Sequence, residues 1–136
     1  MKKEYSYGAV IYQKNAEGNI EYLLERMTLG HTSLPKGHIE NSETPLDCVH
    51  REIKEELNLE IEVNTAFSHT ITYSPNPGIS KDVTFFLGTI VSGEIITQKI
   101  EVLSAYWSNY DQAIQDLTHN SDKEVLEDVN NYLLKH

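Results

Sequence analysis

GHIENSETPLDCVHREIKEELNL, residues 37–59, decides how the chain is read. Its second half is a helix with punctuation at both ends. Thr44 suits the N-cap, Pro45 the first helical position, and Asp47 closes a Thr-x-x-Asp capping pattern. Leu46, Val49, Ile53 and Leu57 recur at spacings of three and four, the mark of one buried stripe. Asn58 stands where a left-handed residue ends a helix, asparagine being the second choice there after glycine. Glu52, Glu55 and Glu56 stand at i, i+3 and i+4 and project from one side of that helix. Like charges at such spacings destabilise a helix by about 0.2–0.5 kcal/mol per pair, and Arg51 and Lys54 offset part of that. Two readings account for the triplet. One is a solvated helix face. The other is a face for a hard divalent cation, which wants several carboxylate oxygens and keeps waters ready for substrate phosphates.

The rest of the chain narrows the choice. Its 136 residues read as one domain, 1–136, long enough to bury a real core. Hydrophobic content of 39% and charged content of 24% describe an ordinary globular protein. With 21 acidic against 11 basic residues and a net charge of −10, binding to duplex nucleic acid is not expected. The same charge would repel an anionic substrate unless a bound cation or a locally basic pocket reverses it. Cys48 is the only cysteine, so no intrachain disulfide forms; it reads as a small buried hydrophobe, and the cytoplasm is the expected compartment. The apolar run 9–12 is too short for a signal peptide or a membrane span.

Residues 5–13 and 20–27 are β-rich and read as two strands joined by a turn at 15–19. Residues 30–39 are irregular, punctuated by Gly30, Pro35 and Gly37. After the helix, 59–73 reads as one or two strands, 74–78 as a stiff loop and 83–91 as a strand. A turn with a short strand at 93–98 and a strand at 102–107 follow. Residues 111–117 and 121–134 read as helices, the second capped by Ser121-x-x-Glu124 and packed through Val125, Leu126, Val129, Tyr132 and Leu133. The pattern is α+β, a mixed sheet covered on both sides.

The wider spacing around the triplet is specific. Gly37, five residues, Glu43, seven residues, Arg51-Glu52-Ile53, one residue, Glu55-Glu56, one residue, Asn58-Leu59 resembles the signature of the Nudix hydrolases. Only the final glycine differs, replaced by Asn58, which can take the same left-handed conformation. Chance would match the six fixed Gly, Glu and Arg positions on the order of once in ten million starts. The resemblance implies an α/β/α sandwich around a central mixed sheet, and hydrolysis of a phosphoanhydride with magnesium, for which manganese can substitute. It assigns Glu52, Glu55 and Glu56 to the metals, together with the Gly37 carbonyl, and makes Glu43 and Arg51 a pair that orders the loop against the helix. Glu101, six residues before Trp107, matches a glutamate that serves many members as a further metal ligand or base, with Glu94 the weaker alternative.

Leu34-Pro35-Lys36-Gly37-His38 and Lys81-Asp82-Val83-Thr84-Phe85-Phe86-Leu87 are similar to segments of the diadenosine tetraphosphate hydrolase branch. Lys36 and Lys81 are the positive groups to aim at phosphates. Phe85 or Tyr73 could stack on a purine, and His38 could flank the phosphate path. The expected substrate is a dinucleoside tetraphosphate, cut by water to a nucleoside triphosphate and a monophosphate. Removal of pyrophosphate from RNA 5′ ends, hydrolysis of a modified nucleoside triphosphate, and a catalytically silent nucleotide-sensing domain are the rivals.

Overall fold

A computed structural model describes residues 2–136. Along the chain lie β1 (Lys2–Lys14), β2 (Ile20–Met27), β3 (Thr32–Ser33), β4 (Lys36–His38), α1 (Pro45–Leu57), β5 (Glu60–Tyr73), β6 (Ile79–Ser92), β7 (Val102–Ser108), α2 (Tyr110–Asp116) and α3 (Asn120–Lys135). The strands form one mixed sheet with the main path β3-β2-β1-β6-β5, to which β4 adds at β1 and β7 at β2. β1 and β6 run parallel and the other pairs antiparallel.

Alternation along the strands builds two cores. Ala9, Ile11 and Leu23 face α1, which buries Val49, Ile53 and Leu57 against them. Val10, Tyr22 and Leu24 face the other way, against Ala113 and Leu117 at α2 and Val125, Leu126 and Val129 of α3. This is the helix–sheet–helix sandwich that the sequence pattern implies. Burying each large aliphatic side chain of α1 stabilises by about 1.5–3 kcal/mol, against about 0.2–0.5 kcal/mol lost per like-charged pair on its acidic side. Packing thus holds the helix in place despite its crowd of acids. Among the described residues, no helix is long and apolar enough to cross a membrane.

The site is positioned by a division in the edge of β1. β6 occupies one edge from Lys2 to Ile11. The other edge is shared, β4 pairing at Ser6 to Gly8 and β2 at Tyr12 to Lys14. Between them the Ala9 N–H donates to the Pro35 carbonyl at 3.2 Å. Gly8 permits that approach, because a Cβ there would overlap the Pro35 oxygen and the backbone of Lys36. Gly8→Ala is expected to push the 34–38 segment off β1 and cost about 1–3 kcal/mol, as overpacking does. Urea unfolding of the variant checks this; an unchanged midpoint would contradict it.

The ends of α1 match their sequence signals. Asp47 N–H donates to Thr44 Oγ1 at 3.1 Å and Thr44 N–H to Asp47 Oδ2 at 3.2 Å, a complete capping box. Asn58 takes φ 61°, ψ 34°, and its Nδ2 donates to the Glu94 carbonyl at 3.1 Å. Other expectations need correcting. Leu46 is 38% exposed and stands outside the buried stripe, because residues 45–47 are all exposed and the helix meets the sheet only from Cys48 onward. No strand forms at 93–98. The N–H groups of Ile96 and Gln98 instead donate to the Leu57 and Glu56 carbonyls at the end of α1, satisfying orphan acceptors there. The N-cap of α3 is His119 without a side-chain bond, so Ser121 lies inside the helix and its expected box with Glu124 does not form. The irregular 30–39 segment contains two short strands, and 60–73 is one strand whose register shifts between Asn64 and Ser68.

Candidate functional site

The three glutamates of α1 are graded from solvent to interior. The Glu55 side chain is 58% exposed and that of Glu52 15%, whereas Glu56 is buried. Glu56 points to the sheet, where it meets a residue that sequence reasoning missed. β2 sends Tyr22 and Leu24 to one core, Leu23 to the other, and Glu25 to the same side as Leu23. Glu25 is 1% exposed, and its carboxyl faces that of Glu56. The Oε2 atoms of both are buried without a partner. Burial raises the pKa of each carboxyl; Lys36 partly opposes this, and the Glu25 charge adds to the rise at Glu56. Burial and the repulsion between them thus disfavour ionisation of both together. A buried acid directly after the apolar run Tyr22-Leu23-Leu24 was the available signal, obscured because β2 is covered on both faces.

Arg51 organises the outer half. It grips Glu43 with two bonds, Nε to Oε2 at 2.6 Å and Nη2 to Oε1 at 3.0 Å. Nη2 also donates to the His38 carbonyl at 2.9 Å, while Nη1 donates to Glu52 at 2.9 Å and Glu55 at 3.2 Å. Glu43 in turn accepts from the Glu40 N–H at 2.8 Å, so loop, β4 and helix are tied through one guanidinium. Hydrogen bonding to Arg51 depresses the Glu43 pKa, and burial raises that of Glu52. Gly37 faces Glu52 so closely that a Cβ would overlap its carboxylate. The Gly37 carbonyl accepts from the buried Cys48 thiol at 3.5 Å, and burial lifts that thiol to about 11, leaving it protonated.

Glu101 lies in the turn before β7, exposed, its backbone fixed by the Thr28 N–H and by Gln98 Oε1, each at 2.9 Å. Its charge reaches Glu25, Glu52 and Glu56. Glu94 is exposed in the preceding loop. Lys36 faces the Glu25–Glu56 pair and also lines a cavity of about 490 Å³ with His31, Tyr73, His119 and Asp122. The His31 and His119 rings stand 5.8 Å apart, and burial keeps His31 below its ordinary pKa, hence neutral. A second cavity of about 310 Å³ shares His31 and is lined by Met27, Leu29, Ile100 and Glu101. Lys81 is half-buried, its pKa lowered by burial and then by Lys36. Phe85 must be removed from the stacking candidates: it is 0% exposed within the core under α3. Tyr73 is 41% exposed on the larger cavity, and the His38 ring meets Ser6 Oγ at 3.3 Å.

Among the described residues, no three acids are gathered around a common point, since Arg51 draws Glu52 and Glu55 outward. The residues nevertheless fit a hard divalent cation. The donors are all oxygen, two buried carboxylate oxygens lack partners, and Gly37, having no Cβ, lets the Glu52 carboxylate lie against the β4 backbone.

Comparison with known proteins identifies the family and the fold. The model of the NUDIX domain matches residues 3–129. No curated protein matches the chain significantly. Among solved structures, a Caenorhabditis elegans Ap4A hydrolase binary complex is similar with TM-score 0.87 and 25% identity over 98% of this chain and 99% of that one. The Escherichia coli dihydroneopterin triphosphate pyrophosphohydrolase shares the fold with TM-score 0.71 and 17% identity, over 94% and 97% of the two chains. So does the NUDIX domain of Shewanella oneidensis NrtR, complexed with ADP ribose, with TM-score 0.77 and 16% identity over 98% and 90%.

Proposed function

The chain belongs to the NUDIX domain family, and from that membership we propose that it is a divalent-metal-dependent hydrolase of nucleoside polyphosphates acting as one domain over 1–136. The observation that carries this reading is the buried Glu56 carboxylate, unpartnered at Oε2, beside Glu52 and facing Lys36 at the head of the larger cavity. Glu52, Glu55 and Glu56, with the Gly37 carbonyl and Glu101, would hold magnesium or manganese. When bound, such ions neutralise a polyphosphate, polarise phosphorus and lower the pKa of an attacking water. That answers the repulsion set by a net charge of −10.

The chain's own groups do the rest. Lys36, with Lys81 nearby, is a point charge for the phosphates that leave the carboxylates toward the cavity. A base entering that cavity meets the His31–His119 pair and Tyr73, flat partners for stacking. Glu52, Glu55, Glu56 or Glu101 accepts the proton of the water. The sole cysteine, buried and protonated, fits the cytoplasm.

For substrate we favour a dinucleoside tetraphosphate. One water adds across one anhydride, giving a nucleoside triphosphate and a monophosphate. Support comes from the 25% identity to an Ap4A hydrolase over nearly the full length of both chains, and from two cavities that share His31 and could each take a nucleoside. A silent sensor loses ground because none of the acids in the signature is missing. A product-resolved panel with magnesium tests the choice: dinucleoside polyphosphates, modified nucleoside triphosphates, nucleoside diphosphate sugars and triphosphorylated RNA. Dinucleoside tetraphosphate is expected to be the best substrate, with mono- and triphosphate in equal yield. Much faster cleavage of another member would overturn the assignment, and turnover of none would overturn the enzymatic reading.

A further inference from the structure

We propose that Glu25 is itself a ligand of the divalent-cation site, supplied from the sheet opposite the α1 glutamates. The inference rests on the reading of α1 as a metal-holding face and extends the ligand set to a residue outside the signature segment. Glu25 is 99% removed from solvent by relative area (1% exposed), and its Oε2 has no hydrogen-bond partner. The phase of β2 sends the side chain to the α1 side, where it meets Glu56, whose Oε2 is buried and unpartnered too. Glu52 and Glu101 carry charge toward the same place.

A purely structural carboxylate at this depth would be expected to have its oxygens satisfied by donors, because an unpaired buried acid destabilises the fold. Among the described residues, the one cation whose charge reaches Glu25 and Glu56 is Lys36, and it bonds neither Oε2 atom. A leucine or valine would suit the apolar run far better. A hard cation between β2 and α1 resolves the conflict, since it wants several carboxylate oxygens from a pre-formed set. The Glu25 side chain, confined by the sheet, would then anchor the deep side of the site, while Glu52 and Glu55 turn inward from Arg51.

Calorimetric titration with Mn2+, on protein free of substrate, separates this proposal from the proposed activity. Wild type, Glu25→Gln and Glu25→Asp are compared, with urea unfolding in chelator as the second measurement. Glu25→Gln is expected to bind Mn2+ roughly 10–100-fold more weakly, the loss known for supports of a metal site being the lower guide. Glu25→Asp keeps the charge but retracts the oxygens, and it is expected to lose affinity as well. In chelator, Glu25→Gln should be at least as stable as wild type. Three results in the variants would overturn the proposal: wild-type affinity in Glu25→Gln, wild-type affinity in Glu25→Asp alone (a field effect without ligation), or loss of stability of the metal-free Glu25→Gln protein, which marks a structural role. Absence of Mn2+ binding by wild type would overturn both this and the metal-dependent reading, whereas normal binding by wild type and Glu25→Gln alike would remove Glu25 only.

Discussion

Glu56→Gln is expected to lower metal-dependent turnover by at least about 100-fold, since a direct ligand should matter no less than the groups that support one. It should at the same time make the metal-free protein more stable above neutral pH. Both follow from one placement. Glu56 is 6% exposed, and burial and then the Glu25 charge raise its pKa above the ordinary 4.5. A carboxyl whose folded pKa is raised holds more protons in the native than in the unfolded chain. Its stabilising contribution is complete below about pH 4.5 and is lost as pH rises toward the folded value. Each unit of such a shift is worth about 1.4 kcal/mol, so relief on the order of 1–3 kcal/mol is expected at pH 8, fading toward pH 5. The amide of the variant can also donate to Glu25. Turnover of a dinucleoside tetraphosphate with magnesium reads the first effect, and urea unfolding in chelator from pH 5 to pH 8.5 reads the second. Undiminished turnover in a folded variant contradicts the metal-holding role; a stability difference that does not vary with pH contradicts the buried carboxyl pair.

What could be read in the sequence was what depends on neighbours along the chain. The capping box at Thr44 and Asp47 and the left-handed Asn58 are contacts over three or four residues, and their letters suffice. The Gly37–Leu59 spacing works similarly, because β4, the loop after it and one helix with its C-cap hold all its members. Glu25 was illegible for the opposite reason. Its meaning depends on which face of β2 looks at α1, and apolar neighbours on both faces remove the alternation that would have told. Phe85 failed likewise: its aromatic character was plain, but only the covering helices determine that the ring points into the core. Residues 93–98 lack their expected strand because their N–H groups are used on the carbonyls that end α1, a tertiary demand that local propensity does not record. The cavity lined by Lys36, His31, Tyr73 and His119 gathers residues from three separated segments, which no spacing within one segment could announce.

Gly37→Ala is expected to weaken Mn2+ binding by roughly 10–100-fold and to depress turnover with it, while the fold survives. The contrast with Gly8 explains the prediction. At Gly8 an added Cβ meets the Pro35 carbonyl oxygen and the backbone of Lys36, atoms held by the sheet, so the cost falls on stability. At Gly37 it meets the end of the Glu52 side chain, Cδ and both oxygens. A glutamate terminus can rotate away at little expense to the core, since Val49 and Ile53 on either side along α1 remain packed. What it gives up is position. Glu52 would leave the place it holds between Gly37 and the Arg51 Nη1 that donates to it at 2.9 Å, and a hard cation would lose a carboxylate from a site that depends on several. Calorimetric titration with Mn2+, beside urea unfolding, separates the two costs. Wild-type affinity in Gly37→Ala would show that Glu52 does not reach the metal from this side of α1. A collapse of stability comparable to that of Gly8→Ala would show that the Glu52 carboxylate is fixed by more than Arg51.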